Sequence, residues 1–159
     1  MTDIEILIFI AIDIMCPTFV ATDIQILTFV PNDLQNLISI VSYINCLTSV
    51  TTDTGFVIFI ATDIQCRIFV GTDMQSLIFV ATDVEGLIFI ANGIENVICI
   101  ALNIQVLTFV ATDLEFLIFF ATDIQCLIFI FNDIVYLIFV ANDTQSFIFF
   151  ASEIVSDIC

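Results

Sequence analysis

The sequence predicts an all-β protein, a parallel β-solenoid built from sixteen ten-residue repeats, and three observations carry that prediction. Written in tens from Met1, the chain keeps one register to its end without insertion or deletion; "ATDIQCRIFV" at 61–70 returns as "ATDIQCLIFI" at 121–130. An α-helix advances about 100° per residue, so a ten-residue unit falls about 80° short of whole turns and an Asp row would spiral around the axis. A strand has period two, which divides ten, and each slot then keeps one facing. Finally, Ile, Val, Thr and Phe dominate, and these crowd a helix but suit a strand. Four Gly and two Pro (Pro17, Pro31) are too few for a hairpin in every unit, so stacked parallel coils are expected instead.

Each unit reads in the same order. Slot 1 is Ala in ten units, slot 2 is mostly Thr or Asn, and slot 3 is Asp in twelve, from Asp3 to Asp143. Slot 4 is nearly always aliphatic, slot 5 is chiefly Gln or Glu, and slot 6 varies freely. Slot 7 is usually Leu, slot 8 is Ile or Thr, slot 9 is Phe in twelve units, and slot 10 is Val, Ile or Phe. Strand alternation then places slot 4 and slot 9 inward, slot 3 outward at a turn, and slots 8 and 10 away from the core, so that Ile88 and Ile90 face outward if Phe89 faces in. Residues 1–159 read as a single array without separate domains or linkers.

Residues 122–126, "TDIQC", resemble the pentapeptide-repeat motif, in which a small residue, Asp or Asn, and a central apolar residue precede two free positions. The second half, "LIFIF" at 127–131, keeps the central Phe. The resemblance implies a right-handed quadrilateral β-helix with twenty residues per coil, Ile124 and Phe129 as inward centres, and Thr122 and Leu127 as their inward companions. Leu127 departs from the small residue that the family prefers there. The resemblance also implies an alternative function, an acidic β-helix binding module that mimics duplex DNA.

Composition narrows function further. Lys and Arg together number one (Arg67), there is no His, and 18 acidic residues give a formal charge of −17, which excludes direct binding to nucleic acid phosphates. A mean hydropathy of +1.22 raises a helical, membrane-associated alternative. Against it, an Asp returns about every ten residues, and each costs about as much on insertion as the neighbouring aliphatic residues gain. Without His or Lys the common general bases are missing, and carboxylate pairs such as Asp83 and Glu85 read as a solvated face. We therefore expect no enzyme, no catalytic, cofactor-binding or metal-binding residues, no cofactor and no small-molecule ligand.

The six cysteines contain no C-x-x-C. Cys16, Cys46, Cys66 and Cys126 share slot 6, and Cys99 and Cys159 share slot 9. A ten-residue coil would leave no two slot-6 cysteines on adjacent turns, whereas a twenty-residue coil would make Cys46 and Cys66 neighbours. The substitutions suggest drift. Slot 9 exchanges Phe for Ser39, Ser49, Cys99 and Cys159, each one base change from a Phe codon, although polar truncation of a buried aromatic costs about 3–5 kcal/mol. The leading expectation is a translated tandem-repeat reading frame without an evolved biochemical role, or a structural repeat protein that self-associates through its surplus apolar faces.

Overall fold

The computed structural model describes residues 3–13 and 15–154. Three strands, β1 (Asp3–Ala11), β2 (Thr18–Pro31) and β3 (Leu34–Ile154), form one parallel sheet in the order β1-β2-β3. Among the described residues there is no helix. The helical alternative is thus corrected: in a helix the 80° slip per unit would scatter the Asp residues, whereas extended chain keeps them in line.

Parallel pairing sets a twenty-residue offset. Asp3 lies beside Asp23, Phe9 beside Phe29 and Ala11 beside Pro31. In the next pair Ile24 lies beside Ile44 and Phe29 beside Ser49. Side chains within β3 keep this offset: Asn103 donates from Nδ2 to Asp83 Oδ1 at 2.6 Å, and the rings of Phe69 and Phe89 stack at 4.8 Å. An extended segment of 121 residues would stretch about 400 Å, so β3 buries its core only by returning beside itself. Two decapeptides make each return.

In the central units four slots face the interior. In 121–130 they are Ala121, Ile124, Leu127 and Phe129, while Asp123, Gln125 and Ile130 are exposed. Ile88 and Ile90 are both exposed around buried Phe89. Thr122, the expected inward companion of Ile124, is only half-buried, and Ala121 takes the inward place. The reason is parity. Slots 7, 9 and 1 of the next unit alternate as a straight strand, and the chain then takes two three-residue steps, from slot 1 to slot 4 and from slot 4 to slot 7, each spanning a corner.

The slot 2–3 corners are not all alike. Asp13, Asp53 and Asp73 have φ of 55°, 44° and 49°, and Gly93 has 69°, all in alternate units. Asp tolerates this left-handed region because its short carboxylate can satisfy local backbone groups. Gly93 fits because it has no Cβ to clash in this region, and a Cβ there would also lie 3.0 Å from Asp73 Oδ1. The ten-residue sequence period therefore becomes a twenty-residue structural period with two inequivalent halves.

Phe side chains fill the interior as two columns. Phe69, Phe89 and Phe109 stack in one, at 4.8 and 4.5 Å, and Phe59 and Phe79 in the other, at 5.8 Å. The columns meet edge to face, as Phe119 and Phe129 do at 85°. The first column turns at Phe129, whose ring stands at 90° to that of Phe109. Here Phe131 occupies an Ala slot and sits 5.5 Å from both rings, which leaves no room for parallel stacking.

This inside-outside division gives a direct expectation. Phe89→Ala should lower unfolding free energy by about 3–5 kcal/mol, because it empties a buried site. Ile90→Ala, one residue away on the outer face, should cost about 1 kcal/mol or less in the same denaturant titration.

Candidate functional site

Two features gather the polar chemistry of the chain. The first is an open groove of about 1050 Å³ along the corners with left-handed residues. Asp13, Asp33, Asp53, Asp73, Gly93, Asp113 and Asp133 run along it, one per return, with Gln35, Gln75, Glu95 and Glu115 on its flank. In-register pairing dictates this arrangement, since slot 3 of every second unit falls in one line. Like charges then stand on successive returns.

Asp33 registers the crowding. Its carboxyl is pushed above the ordinary Asp range by desolvation, by the charges of Asp13 and Asp53, and by a hydrogen bond with Asp13. At the neighbouring slot 2 positions hydroxyls and amides pair across the returns. Thr52 donates to Asn32, Thr112 to Asn92, and Ser152 to Asn132, each across one return. Among the described residues no three His, Cys, Asp or Glu side chains converge as a metal site, because the carboxylates are strung along a line. Asp83 and Glu85 are both exposed on either side of buried Val84.

The second feature lies inside. Ser39, Ser49, Thr51, Thr54 and Arg67 are all buried, and Arg67 is only 2% exposed. Register explains this: Arg67 occupies slot 7, which is inward and is Leu in most units. Ser39 and Ser49 each replace a Phe of one column, and the long Arg67 side chain reaches into the space left by the missing rings. Its guanidinium carbon lies 3.7 Å from the Phe59 ring centroid and 4.6 Å from that of Phe79. Desolvated contacts of this kind contribute about 2 kcal/mol.

Compensation is incomplete. Arg67 Nε and Nη1, Ser39 Oγ, Ser49 Oγ and Thr54 Oγ1 lack hydrogen-bond partners. A cavity of about 20 Å³ remains between Ser39, Ser49, Arg67, Phe59 and Phe69. Burial pushes the Arg67 guanidinium down to about 9, leaving it a cation at neutral pH. Burial also pushes the Cys99 thiol up to about 12, which keeps it protonated and poorly nucleophilic. The other residues lining the space beside Cys99 and Arg67 are apolar. Sequence reading noted Arg67 only as the lone cation; its slot number was the signal for burial.

The buried cluster is testable by a double-mutant cycle. Ser49→Phe alone should destabilise, because the ring competes with the guanidinium for one space. Combined with Arg67→Leu, it should yield a chain more stable than the parent by about 1–4 kcal/mol in chemical denaturation, because the buried cation gives way to packed apolar groups.

The groove has a pH signature. A carboxyl raised in the folded state binds its proton more tightly there, so its contribution favours folding below the unfolded-state value and is lost as pH rises through the folded value. Asp33→Asn should therefore raise the melting temperature at neutral pH and have little effect at acidic pH, as measured by circular dichroism. Comparison with known proteins adds no assignment to either feature: no family model, curated protein or solved structure matches the chain.

Proposed function

We propose that the chain is a structural, self-associating parallel β-solenoid of twenty-residue coils, and that its sixteen decapeptides are a translated tandem repeat with no evolved biochemical role. The observation that carries this reading is the outer face flanking the Phe columns. Slot 10 exposes Val20, Ile60, Ile90, Ile100, Phe120 and Ile130, and slot 8 exposes Ile88 and Ile138. A soluble monomer usually leaves no more than a few hundred Å² of contiguous apolar surface uncovered, so such stripes favour burial against another copy.

The ends add a second route to association. At the first strand Ile6, Ile8 and Ile10 are exposed, and at the other end Phe147, Ile148 and Phe150 are exposed. Among the described residues β1 pairs with β2 alone, and such an edge can receive another copy because every unit carries the same pattern. Such head-to-tail contacts are heterologous and grow into filaments rather than closed rings. The unpartnered polar atoms in the interior support the absence of selection, since a selected core excludes or pairs them.

A DNA-mimicking module is less well supported. The two Asp columns are interrupted, one by Tyr43 and Asn103 and the other by Gly93, so neither presents an unbroken row of charge. Among the described residues no helix is long and apolar enough to cross a membrane, a finding that does not bear on strands.

Light scattering at neutral pH and moderate salt should report assemblies that grow as pH falls toward the sequence pI of about 4.1. Replacing Ile60, Ile90, Ile100 and Ile130 together by Lys should leave the β circular dichroism intact and shift the chain toward smaller species. A soluble 17.7 kDa monomer of the parent chain would overturn self-association. At the codon level, replacement changes between neighbouring units should not be outnumbered by silent ones, and a clear silent excess would overturn the absence of selection.

A further inference from the structure

The twenty-residue return creates one thiol pair that a ten-residue coil would not. Cys46 lies beside Ile26 where β2 pairs with β3, and the next position in that column is Cys66. The twenty-residue offset sets the two residues side by side on neighbouring returns, and both thiols are free. Cys66 is exposed and Cys46 is half-buried, so a small reagent can reach the pair from solvent. Directly paired residues on neighbouring strands lie about 4.8 Å apart. That falls inside the Cα separation of about 4.4–6.8 Å that a disulfide spans. Cys126 shares the column but stands three returns from Cys66, with Gly86 and Val106 between them, Cys16 belongs to the alternate column, and Cys99 is buried.

From this placement we infer that Cys46 and Cys66 form a disulfide-exchange site that staples two successive returns when a small-molecule disulfide such as oxidised glutathione is present. The Cys66 thiolate attacks one sulfur of oxidised glutathione, forming a mixed disulfide and releasing one glutathione thiolate. Cys46, after losing its proton to solvent, attacks the Cys66 sulfur and displaces the second glutathione. The two protein thiols are oxidised and one glutathione disulfide is reduced to two thiols, so electrons balance. Desolvation and the neighbouring Cys46 push the Cys66 thiol up, which makes the first step slow at neutral pH.

The test is exchange on the full chain with oxidised glutathione at mildly alkaline pH, followed by non-reducing peptide mapping. The expected product is a chain two hydrogens lighter at this pair, with Cys46 joined to Cys66 within one molecule, while Cys126 takes only a mixed disulfide. Its melting temperature should rise by several degrees, because the link closes a loop in the unfolded chain, and the gain should vanish on adding dithiothreitol. In Cys46→Ser, a substitution matched by Ser76 and Ser146 at the same slot, Cys66 should stop at the glutathione adduct. Stable glutathione adducts on both Cys46 and Cys66 of the parent chain, or a link between two chains, would overturn the inference. Since the readout is a covalent map, it stands apart from whether the protein self-associates.

Discussion

Everything in this molecule follows from parallel pairing at an offset of two repeat units. Because the offset is a whole multiple of the repeat, each slot lies beside its own kind on the next return. Favourable identity gives the Phe columns, in which successive rings stack at 4.5–4.8 Å through Phe69, Phe89 and Phe109. Unfavourable identity gives the Asp groove, where the Asp33 carboxyl responds to Asp13 and Asp53. The same rule sets thiol beside thiol at Cys46 and Cys66. Stability and strain here have a common origin.

Much of the fold was legible in the slots. That ten is divisible by the strand period but not by the helical one settled extended chain, and the apolar identity of slots 4, 7 and 9 marked Ile124, Leu127 and Phe129 for the interior. Two features were not legible. A ten-residue period is compatible with returns of ten or of twenty, and the left-handed backbone at Asp13, Asp53, Asp73 and Gly93 in alternate units distinguishes them only in three dimensions. Pentapeptide spacing also pointed Thr122 inward, but strand parity carries through Ala121 before the corner, and the polar Thr is displaced outward. The small apolar residue in slot 1 was the overlooked signal.

The interior around Arg67 shows how such a fold absorbs change. Loss of two rings at Ser39 and Ser49 opens space in one return, and a side chain from the next fills much of it with a cation held over Phe59. Packing is partly restored, while polar satisfaction is not. With each stretch paired to the one twenty residues on, a poorly packed return weakens the sheet locally and leaves distant pairings intact. An array of near-identical units can therefore carry several such defects and still order.

The central claim is the twenty-residue parallel return, and paired spin labels test it most directly. Gln105, Glu115 and Gln125 are exposed and occupy the same slot in successive units. Labels at positions 105 and 125 should lie about 5 Å apart at the backbone and give strong dipolar and exchange broadening. Labels at 105 and 115 should sit on opposite halves of a return and give little. Measurements should be made with labelled chains diluted into unlabelled ones, so that contacts between molecules do not contribute. Strong broadening at 105 and 115, with none at 105 and 125, would contradict the account.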